Sequence, residues 1–278
     1  MASNPHSRKS FIDSSIKIAR LYGFQGLDLS WSRENTSWDK YNIRILFKEW
    51  QAAVPLKARN ISSPSQLSLT ARVAYSPLST AGAYPVDSVR QYLNWVHVIT
   101  AQYSRPTRTN FTSAHAALYY PRSVSNTEYG ITEWIEERLS ADKLDLCLPF
   151  YGYAWTLVKP KDNGIGAAAT GPTLSDNGFV PYKEIKNHIK NYGAKVQVMY
   201  NFTYMVNYCS IGKIWFGFDD VEAIRVKVHR PRRRSYVVTM CGKFPLIIIG
   251  CFFKLQVSKW SSALTAIRLI TSLHNDFN

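Results

Sequence analysis

The stretch "GLDLSWS" at residues 26–32 sets Asp28, Ser30 and Ser32 at every second position, with Leu27, Leu29 and Trp31 between them. Side chains two apart share one face of a strand. One face of this segment is therefore apolar and belongs against a core, and the other is a polar row that ends the strand. In an open sheet such a row meets water. In a sheet closed on itself it lines the interior near the carboxyl end of the strand, where ligand-binding groups gather.

The flanks say what kind of sheet this is. Upstream, Ile12, Ile16 and Ala19 recur at helical spacing and Gly23 follows, which predicts an amphipathic helix and its stop. Downstream, Ile43, Leu46, Trp50 and Ala53 predict a second helix, "LSLTARVAY" (67–75) a strand, and Val86 to Leu93 a short helix. "WVHVITAQY" (95–103) is a strand rich in β-branched residues, Ile131, Trp134 and Ile135 mark a helix, and "KLDLCLPF" (143–150) is another strand. Helix and strand alternate, with crossover-length spacers. That order predicts a parallel α/β sheet with helices outside it, either doubly wound or part of a (β/α)8 barrel.

After Pro149 the rhythm breaks. Residues 151–180 are rich in Gly, Ala, Pro, Thr and Asn; a helical pattern follows (Tyr182, Ile185, Ile189, then Gly193), then a strand-like "AKVQVMYN", and "IWFGF" (214–218) closes what reads as a small α+β insertion. "DDVE" (219–222) opens a helix, with Asp219 as its cap and Glu222 at capping-box spacing. Pro231 ends that helix.

Composition narrows the function classes. The chain has 278 residues, of which 46% are hydrophobic, so it can bury a sizeable core. Its 34 basic and 19 acidic residues leave a net charge of +15, spread along the chain with one dense run, "HRPRRR" (229–234). That run reads as a solvated basic loop, and no nucleic-acid partner is expected. Four cysteines (147, 209, 241, 251) show no C-x-x-C spacing and the six histidines no H-E-x-x-H, so no metal site is indicated, and no disulfide can be assigned. The apolar part of "FPLIIIGCFFKLQV" (244–257) is about half the length needed to cross a bilayer, so it reads as a buried strand and no membrane span is expected. Asn35, Asn60, Asn110 and Asn201 each begin an N-x-S/T sequon, which suggests a secretory history, although "ASNPHSRKS" after Met1 has no apolar signal-peptide core.

Two generic motifs fail on context. "GIGAAATG" (164–171) partly matches a dinucleotide fingerprint, but Thr170-Gly171-Pro172 disfavours the helix that must follow, so no cofactor is expected. Ser30 and Ser32 lie on no G-x-S-x-G elbow, and His97, the nearest strand histidine, reads as a packed or solvated imidazole.

Gln25-Gly26-Leu27-Asp28-Leu29-Ser30-Trp31-Ser32 resembles the D-G-x-D-x-D-x-E signature of glycoside hydrolase family 18, the chitinases, and is closest to the plant-type secreted branch. "SFIDSSIKIARLYGF", "LPFYGYAWTL" (148–157) and "NYCSIGKIWFGFDDVEAIRVKV" (207–228) extend the resemblance over about residues 1–228. It implies a TIM barrel with an α+β insertion after the seventh strand. The implied division is 1–152 for barrel strands four to seven, 153–213 for the insertion, and 214–278 for the carboxyl-terminal part of the barrel, divergent from about 229. On this reading the barrel is incomplete, because its first three strands would precede Met1. "LIIIGCFFKLQVS" (246–258) partly resembles the final strand, with Leu255 near the position of a sugar-binding Trp.

The family mechanism is substrate-assisted. A Glu at the end of the motif protonates the glycosidic oxygen, the N-acetyl oxygen of the substrate attacks the anomeric carbon, and the Asp two residues earlier steadies the acetamido group. A Tyr-Asp pair on the sixth strand assists. Here the Glu position is Ser32, the adjacent Asp position is Ser30, the first acidic position is Gln25, and the Tyr-Asp pair aligns with Ala101-Gln102; of these acids only Asp28 remains. A hydroxyl is no general acid near neutral pH, and losing acid–base catalysis costs about 10²–10⁴-fold. Glu34 shares parity with the row but lies about 7 Å beyond position 32, out of hydrogen-bond reach. The expectation is a cleft that binds chitin or N-acetylglucosamine oligosaccharides through Asp28, Gln102, Tyr103, Tyr151, Tyr153 and Trp155 without an intact catalytic set. A working chitinase with other acids, and an extracellular recognition domain akin to receptor ectodomains, are the alternatives.

Overall fold

The computed structural model of the chain describes residues 2–31, 36–58, 67–78, 84–229 and 237–241. These fall into two compact units, one within residues 1–99 and 130–146, the other within 100–129 and 147–243.

The first unit is built of alternating helices and strands. Helix α1 (Pro5–Leu21) starts where the Asn4 side chain accepts the Ser7 amide and Pro5 occupies the first turn. It buries Ile12, Ile16 and Ala19, the residues whose spacing predicts it. Gly23 then adopts φ +70°, and the Phe24 amide returns to the Ala19 carbonyl, which stops the helix. Strand β1 (Gly26–Ser30) follows. Helix α2 (Ser37–Ala58) opens on a reciprocal cap, the Asp39 amide donating to Thr36 Oγ1 and the Thr36 hydroxyl to Asp39 Oδ2. It buries Ile43, Leu46, Phe47, Trp50 and Val54, while Ala53 is half-buried. Buried Arg8 of α1 clamps Glu49 of α2 through two parallel hydrogen bonds of 2.9 and 2.8 Å.

Strand β2 (Ser68–Val73), helix α3 (Val86–Tyr92), strand β3 (Trp95–Ile99), helix α4 (Thr127–Glu136) and strand β4 (Leu144–Pro149) complete the alternation, β4 leaving the first unit after Leu146. The order across the sheet is β1-β2-β3-β4, and β1–β2 and β2–β3 are parallel. The expected α/β class with a parallel sheet is thus present. The strand expected over 95–103 ends at Ile99, because the chain turns at Gln102, whose φ is +69°.

In the second unit, β5 (Tyr151–Leu157), β6 (Ala169–Pro172), β7 (Phe179–Pro181), β8 (Met199–Asn201), β9 (Val206–Ile211) and β10 (Ile214–Phe218) form an antiparallel sheet of order β6-β5-β10-β9-β8, with β7 also on β5. Helix α5 (Tyr182–Tyr192) packs Ile185 against one face with Ala154, Phe216 and Phe218; Tyr151, Tyr153, Trp155 and Trp215 cluster on the other. β10 pairs with both β5 and β9, so "IWFGF" is a central strand of this sheet. "GIGAAATG" forms turns and then β6, with no helix.

Helix α6 (Val221–His229) corrects one expectation. Its first amide is met by Asp220 Oδ1 at 2.8 Å, and Asp219 is buried elsewhere in an ion pair with Lys227. Strand β11 (Val237–Cys241) is the last described element. The strand expected over 244–257, Leu255 and Pro231 lie outside the described residues, as do Arg230 and Arg232 to Arg234 of the basic run. No helix among the described residues is long and apolar enough to cross a membrane.

Candidate functional site

The polar row of β1 is the starting point. Gly26 lets β1 approach β2 closely, since a Cβ there would sit 2.7 Å from the Ser68 carbonyl oxygen. Register then sets Asp28 beside Thr70 and Ser30 beside Arg72, and β2–β3 pairing sets Arg72 beside His97. Neighbours in register on parallel strands project to the same face.

The side chains confirm that face. Thr70 donates its hydroxyl to Asp28 Oδ1 at 2.6 Å, His97 Nε2 stands 3.7 Å from the same oxygen, and His97 Nδ1 lies 2.8 Å from Asp145 Oδ2. A histidine thus bridges two carboxylates from β1 and β4. Burial pushes the Asp28 carboxyl above its usual range, with Asp145 adding to it, while His97, the Thr70 hydrogen bond and Arg72 pull it back. Ser30 is half-buried beside Arg72; Ser32 and Glu34 lie outside the described residues.

The second unit assembles the remaining candidates. Ala101 is buried; Gln102 donates through Nε2 to the Tyr151 hydroxyl at 2.8 Å and accepts from the Arg105 guanidinium at Oε1. Tyr103 is half-buried, its hydroxyl 3.0 Å from Thr127 Oγ1. Tyr151, Tyr153 and Trp155 alternate along β5 and so share a face. The His115 ring stacks on Tyr151 at 5.6 Å and meets Tyr153 edge-on at 5.2 Å. Burial, with the Lys227 charge adding to it, pushes His115 down to about 3, so the ring is neutral at physiological pH. Lys227 Nζ in turn holds both Asp219 oxygens at 2.7 and 2.6 Å and the Ala116 carbonyl at 2.6 Å.

Trp155 departs from the stacking role that sequence suggests for it. It is 0% exposed, with Trp215 edge-on at 5.2 Å and Ala167, Ala169 and Leu157 in the same cluster, so both ring faces are spent on the core. Among the sequons, Asn110 is exposed and Asn201 accepts the Thr203 and Tyr204 amides at Oδ1; Asn35 and Asn60 lie outside the described residues. Cys147 and Cys209 are buried, and burial pushes the Cys209 thiol up to about 12.

Arg72 and Asp145 in the first unit, and His115 and the Asp219–Lys227 pair in the second, are neighbours of the candidates that pattern reading misses. Asp145 carried a signal: a carboxylate inside the apolar run "LDLCL" needs a partner. His115, between Ala114 and Ala116, carried none.

Comparison with known proteins fits this arrangement. The profile of the glycosyl hydrolases family 18 matches residues 1–236. A class V chitinase of Arabidopsis thaliana is 38% identical over 236 residues, 84% of this chain; the chain spans 62% of that relative's length. A mutant class V chitinase from Nicotiana tobaccum, crystallised in complex with NAG4, superposes with a TM-score of 0.82 at 36% identity, covering 87% of this chain and 70% of that one. A chitinase-like agglutinin from Robinia pseudoacacia superposes at 0.79 and 36% identity, covering 96% of this chain and 74% of its own.

Proposed function

Because this chain belongs to glycosyl hydrolase family 18, we propose that it is a chitinase-like protein that holds N-acetylglucosamine-type glycans without cutting them, on a (β/α)8-type barrel in which β1–β4 are consecutive strands. The observation that carries this reading is the polar row of β1. Where the resembling motif places its acetamido-steadying acid, this chain has Ser30, and where it places the proton donor it has Ser32. Neither hydroxyl can supply a proton near neutral pH.

Asp28 does not take over. Its carboxyl is engaged by Thr70 and faced by His97. It also lies four residues before position 32 in the sequence. The Asp28 carboxyl is thus committed to partners within the row and not to a glycosidic oxygen.

Binding is a separate matter. Half-buried Gln102 and Tyr103 supply amide and hydroxyl groups of the kind that hold pyranose rings, and Tyr151 and Tyr153, buried in the same cluster as Trp155, support them from behind. A tobacco relative crystallised with NAG4 and a relative named an agglutinin support a carbohydrate ligand for this scaffold. The exposed Asn110 sequon accords with a glycoprotein that meets its ligand outside the cell.

Two assays test the reading with the purified chain. Retention on chitin beads, competed by chito-oligosaccharide, is expected. Release of reducing ends from chitotetraose is expected to stay at the level of a buffer blank, and brisk release would overturn the proposal; a Glu34→Ala variant would then show whether Glu34 is the acid. Ser30→Asp with Ser32→Glu is expected to raise hydrolysis above that blank, since it returns both missing carboxylates.

A further inference from the structure

Arg72 is the residue of the β1–β3 row that the glycan-binding reading leaves unused. It sits in register with Ser30 on one side and His97 on the other. The Thr70–Asp28 hydrogen bond two residues earlier fixes which face these side chains take. Strand alternation then carries Ser30 and Arg72 to the same face, one pleat nearer the carboxyl end of the strands.

The charges of the row are unequally committed. Asp28 takes the Thr70 hydroxyl and faces His97, and Asp145 takes His97 Nδ1. Arg72 is half-buried, and among the described residues its guanidinium has no hydrogen bond or ion pair. Its charge reaches Asp28 only through space. The neighbour in register that would neutralise it is Ser30, which carries a hydroxyl and no charge. The motif acid is absent from the position beside a guanidinium, which leaves a cation with no ion pair among the described residues and an adjacent hydroxyl donor.

A guanidinium is a planar fork of donors that fits a carboxylate or sulfate through two parallel hydrogen bonds. Half-burial raises the worth of such a contact, because water competes less for the fork. We propose that Ser30 and Arg72 form an anion subsite in the first unit, and that the glycan this chain prefers bears a carboxylate or sulfate on its N-acetylglucosamine units. The inference rests on the glycan-binding reading above and specifies the chemistry of that ligand.

The test is isothermal titration of the full chain with three probes: neutral chitotetraose, its 6-O-sulfated form, and an N-acetylglucosamine–N-acetylmuramic acid oligomer carrying lactyl carboxylates. The expected result is tighter binding of at least one anionic probe than of the neutral one, by about tenfold, the worth of one charge-assisted contact partly screened by water. The two anionic arms distinguish sulfate from carboxylate. Arg72→Gln is expected to lower the affinity of the preferred anionic probe to that of the neutral oligomer, and Arg72→Lys to keep part of the preference. Ser30→Asp, which returns an internal partner to the guanidinium, is expected to erase the preference without removing Arg72, and it serves as the second variant if Arg72→Gln fails to fold. Glu34→Ala is expected to leave the preference in place.

Equal affinity for all three probes, a preference that survives both Arg72→Gln and Ser30→Asp, or a preference that emerges only in Glu34→Ala would overturn the anion subsite while leaving glycan binding intact. Failure of every probe to bind would overturn both readings.

Discussion

Lys227→Met is expected to be among the most damaging single changes outside the aromatic core. Lys227 and Asp219 have side-chain exposures of 3% and 0%, and the ammonium gives its three protons to two carboxylate oxygens and the Ala116 carbonyl, all within 2.7 Å. Removing the ammonium leaves a buried carboxylate without its counter-charge and a carbonyl without its donor. Breaking a buried pair from one side costs about 3–5 kcal/mol, a large share of the roughly 5–15 kcal/mol that holds a domain folded. Changing both partners, Asp219→Asn with Lys227→Met, removes the stranded charge and is expected to return about half of that loss or more. Urea denaturation followed by tryptophan fluorescence measures all four members of the cycle. The pair also has a neighbour in the candidate site: Lys227 acts on the charge state of His115, whose ring stacks on Tyr151 and meets Tyr153. A loss below about 1 kcal/mol for Lys227→Met, or a double variant less stable than the single one, would refute the assignment of a buried, mutually dependent pair.

Asp28→Asn tests the β1 row through pH. The native Asp28 carboxyl binds its proton more tightly than an unfolded one. Its contribution to stability is therefore fully present below the ordinary carboxyl range and is lost as pH rises through the raised native value. The variant lacks that loss, so its melting temperature is expected to gain on the parent between about pH 3 and pH 7; a gap that moves the other way overturns the assignment. Trp155→Ala is expected to cost about 3–5 kcal/mol in denaturation, as for a buried ring; a change in glycan affinity with stability untouched would return Trp155 to the ligand surface. Gly26→Ala puts a methyl 2.7 Å from the Ser68 carbonyl and is expected to cost about 1–3 kcal/mol by forcing β1 and β2 apart; a neutral melting temperature would refute the close approach.

How much of this was legible in the chain turns on whether a feature is local or needs a partner far along the sequence. The spacing of Ile12, Ile16 and Ala19, with Gly23 after them, encodes α1 and its stop within a few residues, and the structure forms that helix from the same side chains. The alternation in "GLDLS" likewise encodes two faces, and both are present. Local pattern misleads where a competing tertiary partner wins. Asp219 and Glu222 have capping-box spacing, yet Asp219 is drawn to a lysine eight residues on, and Asp220 caps the helix in its place. Trp155 follows Tyr151 and Tyr153 at period two, so pattern alone groups all three as one platform, but Trp215 of β10 closes over the third.

The charge state of the cleft floor was the part least available to sequence, for a reason of register. Read along β1, the replacement of acids by Ser30 and Ser32 is a loss of negative charge and nothing more. Read across the strands, Ser30 stands beside Arg72, 42 positions away, and Arg72 beside His97. That changes the sign of the question. A floor that had only lost its acids would bind the same neutral sugar more passively. On the proposed reading, a row that sets a guanidinium without a described ion pair beside the position of the motif acid favours negative charge on the ligand. Ser30→Asp is therefore expected to erase the proposed anionic preference alone, and to contribute to hydrolysis only together with Ser32→Glu.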